Sequence, residues 1–572
     1  MTRRCLLLVS ILVIAFFLVT VSAPRCIAAK ATDLEALQKK IDAMAKELQE
    51  LKKQLAEQKE QMAKQQEQAK EAQEERDELS ERVDKTEMHV FTDKVSLGLN
   101  IRARGDSIHY DNLQIAPSSF MKGFFTPTAS GGFNGATLAQ IQQGINQMKT
   151  MGMVPDPDSY DYNNDIIYTT RVRMRLRAKY GNHLSADGRL AMYKVWGDST
   201  GVRWYNGNIN SVVMDGNTAN IPSDDTLRVE RAYFTYRDNA HPVKWYVSLG
   251  RRPATEGPPL QYRNNTLEGG SPLAHIINWQ FDGGTLFFGL EDVLGWPGPY
   301  VKLCYGIGYE GGWGNAATLQ HNGDVDDVHM LGTIISLYND DVTSVSLNYA
   351  HAFDVTDGFT GLTVMPFSVS KNTSGQYYFT PNSGGFVSRV GATNNIGDAD
   401  LLTVLVQSQF HGIDWFVSGA YSHTDPDDVS KDLFFGNIMG LGLLSSNGDL
   451  ESHDGYSIYA GFRIPIDKIH GKLGFEYNYG SKYWFNFTGA EDSLVGSKLA
   501  ARGHVFEPYY IQEILGRHFY LIAGAQFYDY EYTNSGNPLG KPVDIDDATA
   551  LDALTPLVDD VQVYYLSATV EF

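Results

Sequence analysis

The 572-residue chain has almost no cysteine. Three occur, at Cys5, Cys26 and Cys304, too few and too scattered for a disulfide framework, a Cys-x-x-Cys site or a haem-attachment motif. Fourteen histidines show no metal-ligand spacing, so no metal site is expected. No nucleophile elbow, phosphate loop or paired catalytic carboxylates stand in a fitting context, so neither an enzyme nor a cofactor is expected. After about Ala23 no second long apolar run occurs, and mean hydropathy is −0.27, which excludes a helical bundle spanning a membrane. Basic residues are in deficit, 47 Lys and Arg against 68 Asp and Glu, and a net charge of −21 argues against a nucleic-acid partner. Proline and glycine are missing altogether from Lys30 to Val95.

What is present divides the chain in three. Arg3 and Arg4 precede an apolar run from Cys5 to about Ala23, and small residues follow at Ala28-Ala29. Residues 1–29 therefore read as a secretory signal peptide, cut near Ala28 or Ala29, with Ala23 as an alternative. From Leu34 a heptad runs unbroken. Its a positions are Leu34, Ile41, Leu48, Leu55, Met62, Ala69, Arg76 and Val83; its d positions are Leu37, Met44, Leu51, Gln58, Gln65, Ala72 and Leu79. A strict 3.5-residue repeat needs a partner helix, so 30–89 is predicted to be a self-associating coiled coil. At 1.5 Å per residue the segment 34–89 spans about 80 Å.

Past Phe91 the period changes from 3.5 to 2. Val95, Leu97, Leu99, Ile101 and Ala103 alternate with polar residues that include Arg102 and Arg104. Further on, Val172, Met174, Leu176 and Ala178 alternate with Arg171, Arg173, Arg175, Arg177 and Lys179. Five cations on one face are no protein core, and the opposite face does not suit water. The two faces are expected to meet lipid and a wet lumen. Continuing the pattern gives about sixteen strands, near 91–104, 165–180, 183–197, 225–237, 243–252, 278–290, 300–312, 327–339, 343–355, 399–411, 414–425, 455–466, 471–484, 502–515, 518–532 and 559–572. Short turns such as Gly181-Asn182 and His411-Gly412 alternate with long connections such as 105–164 and 253–277. The fold predicted for 90–572 is an all-β, up-and-down, antiparallel transmembrane barrel, with Tyr-rich girdles and Gly-rich turns.

The chain ends on Phe572, with Val570, Ala568, Leu566 and Tyr564 on the same face. This resembles the terminal signal read by the barrel-assembly machinery of Gram-negative cells. Signal, coiled coil and barrel together resemble Gram-negative outer-membrane porins, and more closely an uncharacterised putative-porin family with an N-terminal periplasmic coiled coil. The resemblance implies a water-filled diffusion channel for small hydrophilic solutes, in a homo-oligomer, a trimer by porin analogy. It also implies contact with outer-membrane lipid and lipopolysaccharide, and with peptidoglycan as an open question for the stalk. An alternative role is a tether between outer membrane and peptidoglycan, with the barrel mainly an anchor.

In trimeric porins the third external loop folds inward and faces arginines on the wall. Here the third long loop carries Arg251, Arg252, Glu256, Arg263 and Glu268, stiffened by prolines at 253, 258 and 259. By this resemblance these residues constrict the pore. Arg102, Arg104, Arg171, Arg173, Arg175, Arg177 and Lys179 form the wall facing them. The first long loop is the other candidate plug, because Leu138 to Met151 has the make-up of a short helix. A ladder of guanidiniums favours anions through many weak sites rather than one trap; opposing acids would cancel that preference. The acidic runs Asp324–Asp327, Asp427-Asp428 and Asp544–Asp547 read as solvated loop ends rather than calcium sites.

Overall fold

A computed structural model describes residues 95–572 except 198–224, 240–242, 268, 312–324, 359–360, 365, 383–386, 391 and 490. The signal peptide of 1–29, the coiled coil of 30–89 and Glu268 lie outside the described residues.

Among the described residues, sixteen strands close an antiparallel barrel. In chain order they are β1 Val95–Ile115, β2 Asp158–Tyr180, β3 Leu184–Val195, β4 Arg228–Asp238, β5 Lys244–Arg251, β6 Asp282–Gly289, β7 Tyr300–Tyr309 and β8 Val328–Asn339. There follow β9 Ser344–Thr356, β10 Asn395–Phe410, β11 Ile413–Pro426, β12 His453–Ile466, β13 Gly471–Gly480, β14 Gly503–Glu513, β15 Phe519–Tyr530 and β16 Asp560–Glu571. Each strand pairs with its chain neighbour, and β16 returns to β1 with Ala103 opposite Ala568. Leu99 and Phe572 exchange backbone hydrogen bonds, so the last residue seals the final seam.

The two-residue period has its expected physical result. Along β16, Tyr564 and Leu566 are exposed while Val563, Tyr565 and Ser567 are buried. The outer face elsewhere carries Leu97, Ile101, Phe234, Leu303, Val404, Val417, Ile458 and Phe506, all exposed. Closure leaves no edge strand in the described barrel, the condition a sheet must meet to span lipid. Pro508 stays within β14, opposite Phe475.

Strand boundaries depart from expectation where the apolar alternation stops. β1 runs on to Ile115 and β2 begins at Asp158, so much of the expected 105–164 loop is strand. Asp111, Asn112, Asp161 and Asn163 carry no apolar alternation, so the pairing above the apolar belt is hidden from a reading tuned to it. β6 begins at Asp282 rather than 278, because Ile277-Asn278 pairs in parallel with Phe487-Thr488 of another loop.

The long connections all lie at one end: L1 (116–157), L2 (196–227), L3 (252–281), L4 (310–327), L5 (357–394), L6 (427–452), L7 (481–502) and L8 (531–559). L1 contains helices α1 Ser118–Phe125 and α2 Leu138–Thr150. α2 starts on a capping box between Thr137 and Gln140, which satisfies amides at its free end. It buries Ile141 and Ile145 in a cluster with Phe124, Phe367, Phe379, Phe434 and Leu551 from L1, L5, L6 and L8. The expected helix therefore forms, but it packs among outer loops.

Candidate functional site: the constricted lumen

L3 and L7 fill the inside of the barrel. L3 leaves β5 and plants Leu260, Leu273 and Ala274 against Leu405, Phe416 and Tyr459 of the far wall. L7 leaves β13 and plants Leu494 and Val495 against Ile108, Tyr110, Val561 and Val563. The loops join where Trp279, Phe485 and Phe487 pack together, all but fully buried. Burying side chains of this size contributes about 1.5–3 kcal/mol each, so the loops are firmly docked. His275 sits between the hydroxyls of Ser418 and Ser457, 2.8 Å from each, and burial lowers its pKa to about 3. It stays neutral in the physiological range and acts as a peg.

The cation ladder lies on the β1–β4 wall, and the loops neutralise it. Register places Arg102 directly opposite Arg171, an arrangement that repels unless bridged. Asp492 of L7 supplies the bridge, 3.2 Å from Arg102 and 2.8 Å from Arg171. Arg104 pairs with Asp106 at 2.6 Å. Arg173 donates to Glu230 at 2.8 Å and to Glu256 of L3. Arg189 reaches the same two acids at 2.7 and 2.8 Å, and Arg231 reaches Glu256 at 3.4 Å. Nearer the short turns, Arg175 and Arg177 share Asp187 at 3.1 and 2.9 Å with nearly half of each side chain exposed. Lys179 is exposed at the same end.

The loop carboxylates are held for this task. Burial alone would raise the pKa of Glu256, but Arg173, Arg189 and Arg231 outweigh it and keep it well below the usual carboxylate range. Asp492 is likewise raised by burial and lowered further by Arg102 and Arg171, with a net shift downward. Glu256, Glu491 and Asp492 have φ of 60°, 54° and 63°, in the left-handed region that side chains seldom occupy. Such strain costs about 1–3 kcal/mol per residue and persists only where neighbours enforce it. Here the strained backbone aims two acids at the ladder.

A second charged cluster holds the loops to the β12–β16 wall. Lys498 of L7 donates to Glu476 and Glu507, and all three are buried. Arg263 of L3 reaches Glu507 at 3.1 Å, and Tyr565 donates to the same carboxylate at 2.8 Å. Burial pulls the Lys498 pKa down, but the two glutamates more than compensate and raise it. Arg502, at the end of L7, is fully buried with four carbonyl acceptors, those of Trp484, Thr533, Asn534 and Asn537. It ties L7 to L8.

Of the expected constriction residues, Glu256 and Arg263 bridge L3 to the walls. Arg251 does not join them. Its register sets it on the outer face beside Ala232, in a two-point pair with Asp282 at 3.0 and 2.7 Å. Arg252 projects inward on the β5–β7 side. The part played by L7 is absent from the sequence reading, as are Asp187, Arg189, Glu230, Arg231, Glu476, Asp492, Lys498 and Glu507. Arg189 and Asp187 alternate with Leu190 and Gly188, so the period of two could have found them. Glu230 is shifted by a bulge at Arg189/Leu190, which breaks the period.

Residues 161–572 match the family model described as a protein of unknown function, DUF3373. No curated protein matches the chain. Among solved structures, the chain is similar to Salmonella typhi OmpF in complex with daunomycin, at 10% identity and a TM-score of 0.40, covering 85% of this chain and all of that one. It is similar also to Pseudomonas putida OprB at high pH, at 11% identity and a TM-score of 0.39, covering 85% and 96%.

Proposed function

We propose, for a chain that belongs to the DUF3373 family of proteins of unknown function, the role of an outer-membrane channel of narrow bore for small hydrophilic solutes. The observation that carries this reading is the closed sixteen-strand barrel with an apolar outer face and a charged inner wall crossed by two docked loops. An apolar girdle on a closed barrel belongs in lipid, and a charged lumen belongs in water. We read the protein as a channel and not as an enzyme. The short turns and both chain termini of the barrel face the periplasm in this reading, and Tyr564 to Phe572 serve the assembly machinery. The coiled coil of 30–89 would act as a periplasmic stalk for oligomerisation or cell-wall contact.

Any anion preference in this reading is weak at the ladder. Fixed charge selects ions only when it is left over for the solute, and Asp492, Glu256, Glu230 and Asp187 already take up much of it. Planar-bilayer recording of the purified full chain tests the role. Small, discrete conductance steps in KCl are expected; a folded barrel that inserts without conducting would refute the channel. Mass measurement of the detergent-solubilised protein tests the trimer, which a stable monomer with its stalk intact would refute.

A further inference from the structure

Among the described residues, one part of the lumen gathers cations away from the loop acids Glu256 and Asp492. On the short-turn side of L3 a recess of about 320 Å³ is lined by Tyr233, Arg237, Lys244, Tyr246, Arg252 and Lys302, among others. Its volume lies in the range of small-molecule sites, roughly 300–1,000 Å³. Arg252 donates to the hydroxyls of Ser248 and Thr285, and its guanidinium lies 4.7 Å from the centre of the Tyr233 ring. Among the described residues neither Arg252 nor Arg237 forms an ion pair with a carboxylate. The acid at the rim is Asp292, 3.1 Å from Lys244. Glu256 is turned away, toward Arg173, Arg189 and Arg231. Among the described residues, L3 turns its Glu256 carboxylate to the ladder and not to this corner.

The surroundings narrow the ligand. Tyr246 and Phe287, stacked on each other at 4.5 Å and 7°, both line the recess and give it aromatic surface. Beyond Arg252 the same wall leads into an apolar cavity of about 60 Å³ lined by Ala254, Ile277, Phe281, Met330 and Ile334. Arg252, Pro253 and Ser271 border both spaces. An inorganic anion can use the same guanidinium but leaves the aromatic and aliphatic surface beside it uncovered. An organic anion with a flat apolar body keeps its charge on the guanidinium and lays its body on aromatic and aliphatic surface.

We propose that this recess is a binding station for small aromatic carboxylates, with Arg252 as the carboxylate-binding residue and Arg237 at its entrance. It rests on the channel reading for its place along a solute path, but binding itself is measurable without conduction. Calorimetric titration of the detergent-solubilised full chain with benzoate, acetate and inorganic phosphate tests it, with folding of each variant checked by heat-modifiable gel mobility. Benzoate is expected to bind more tightly than acetate or phosphate. Arg252→Gln is expected to weaken benzoate about tenfold, and Arg237→Gln, at an exposed and readily tolerated position, by a smaller factor. Arg177→Gln on the ladder should bind as the unaltered protein does. Equal affinity for all three anions, or unchanged benzoate binding in folded Arg252→Gln and Arg237→Gln, would overturn the proposal. Conductance in KCl without benzoate binding refutes the station and spares the channel. Benzoate binding in a barrel that never conducts supports the station and refutes the channel.

Discussion

On the β1–β4 side of the lumen, the buried guanidiniums of Arg102, Arg104, Arg171, Arg173, Arg189 and Arg231 each touch a carboxylate. On the β5–β7 side, Arg252 touches two hydroxyls and a tyrosine ring. Both regions are rich in cations. They differ in where the inward loops deliver acids: L3 presents Glu256 and L7 presents Asp492 to the first region, and neither serves the second. In the proposed channel, selectivity would therefore be set by the wall and loop carboxylates acting on the wall cations, which a count of cations along one strand does not reveal.

The largest effect is expected where the loops are anchored. Lys498→Met removes the cation shared by Glu476 and Glu507. Breaking a buried pair by deleting one partner costs about 3–5 kcal/mol. Hydrogen exchange over 481–502 should accelerate strongly, and conductance should rise as L7 leaves the lumen. Unchanged exchange would mean that apolar packing alone holds the loop.

Next in size is Asp492→Asn, which would uncover the ladder. Arg102 and Arg171 would then lack their common partner, and the zero-current potential should move toward anions. The shift corresponds to a several-fold change in permeability ratio, on the scale of the ~1 kcal/mol that one charge exerts across 4 Å of water.

Acidity offers a third way to alter the contrast. Burial raises the Glu491 carboxyl to about 7, against Lys498 and its contact with Ser497, which lower it. A carboxyl raised in the docked state favours docking fully at a pH below its ordinary range near 4.5, and that contribution is lost as pH rises through about 7. Glu256 and Asp492 act in the opposite sense: their stabilisation is present above the ordinary carboxylate range and lost as pH falls toward their lowered values. L7 should therefore dock best in mildly acidic solution. Single-channel opening should increase between pH 6 and 8, and Glu491→Gln should flatten that rise.

The smallest effect belongs to Arg175→Gln with Arg177→Gln. These side chains are nearly half exposed and already share Asp187, and exposed pairs contribute about 0–1 kcal/mol. Thermal stability should hardly move.

The barrel was legible because an apolar outer face and a polar inner face impose a period of two on its strands. All sixteen strands were expected near where they form, and the ends of β1 and β2 were missed where they leave the apolar belt. The Arg171 to Lys179 face could be read for the same reason. Its electrostatic state was legible only in part: the resemblance to porins set Glu256 opposite the wall, but Asp492 sits in a loop with no period and is aimed by left-handed backbone. Arg251 and Arg252 are neighbours in sequence with opposite fates: one pairs with Asp282 on the outer side, and the other enters the lumen. Only the strand register separates them.

The most direct test compares zero-current potentials across a KCl gradient for two double variants in the full chain. Arg252→Gln with Arg237→Gln should shift the potential toward cations, while Arg175→Gln with Arg177→Gln should leave it nearly unchanged. A large shift from the ladder pair, with none from Arg252 and Arg237, would contradict the claim that carboxylates silence one wall and leave the other to select.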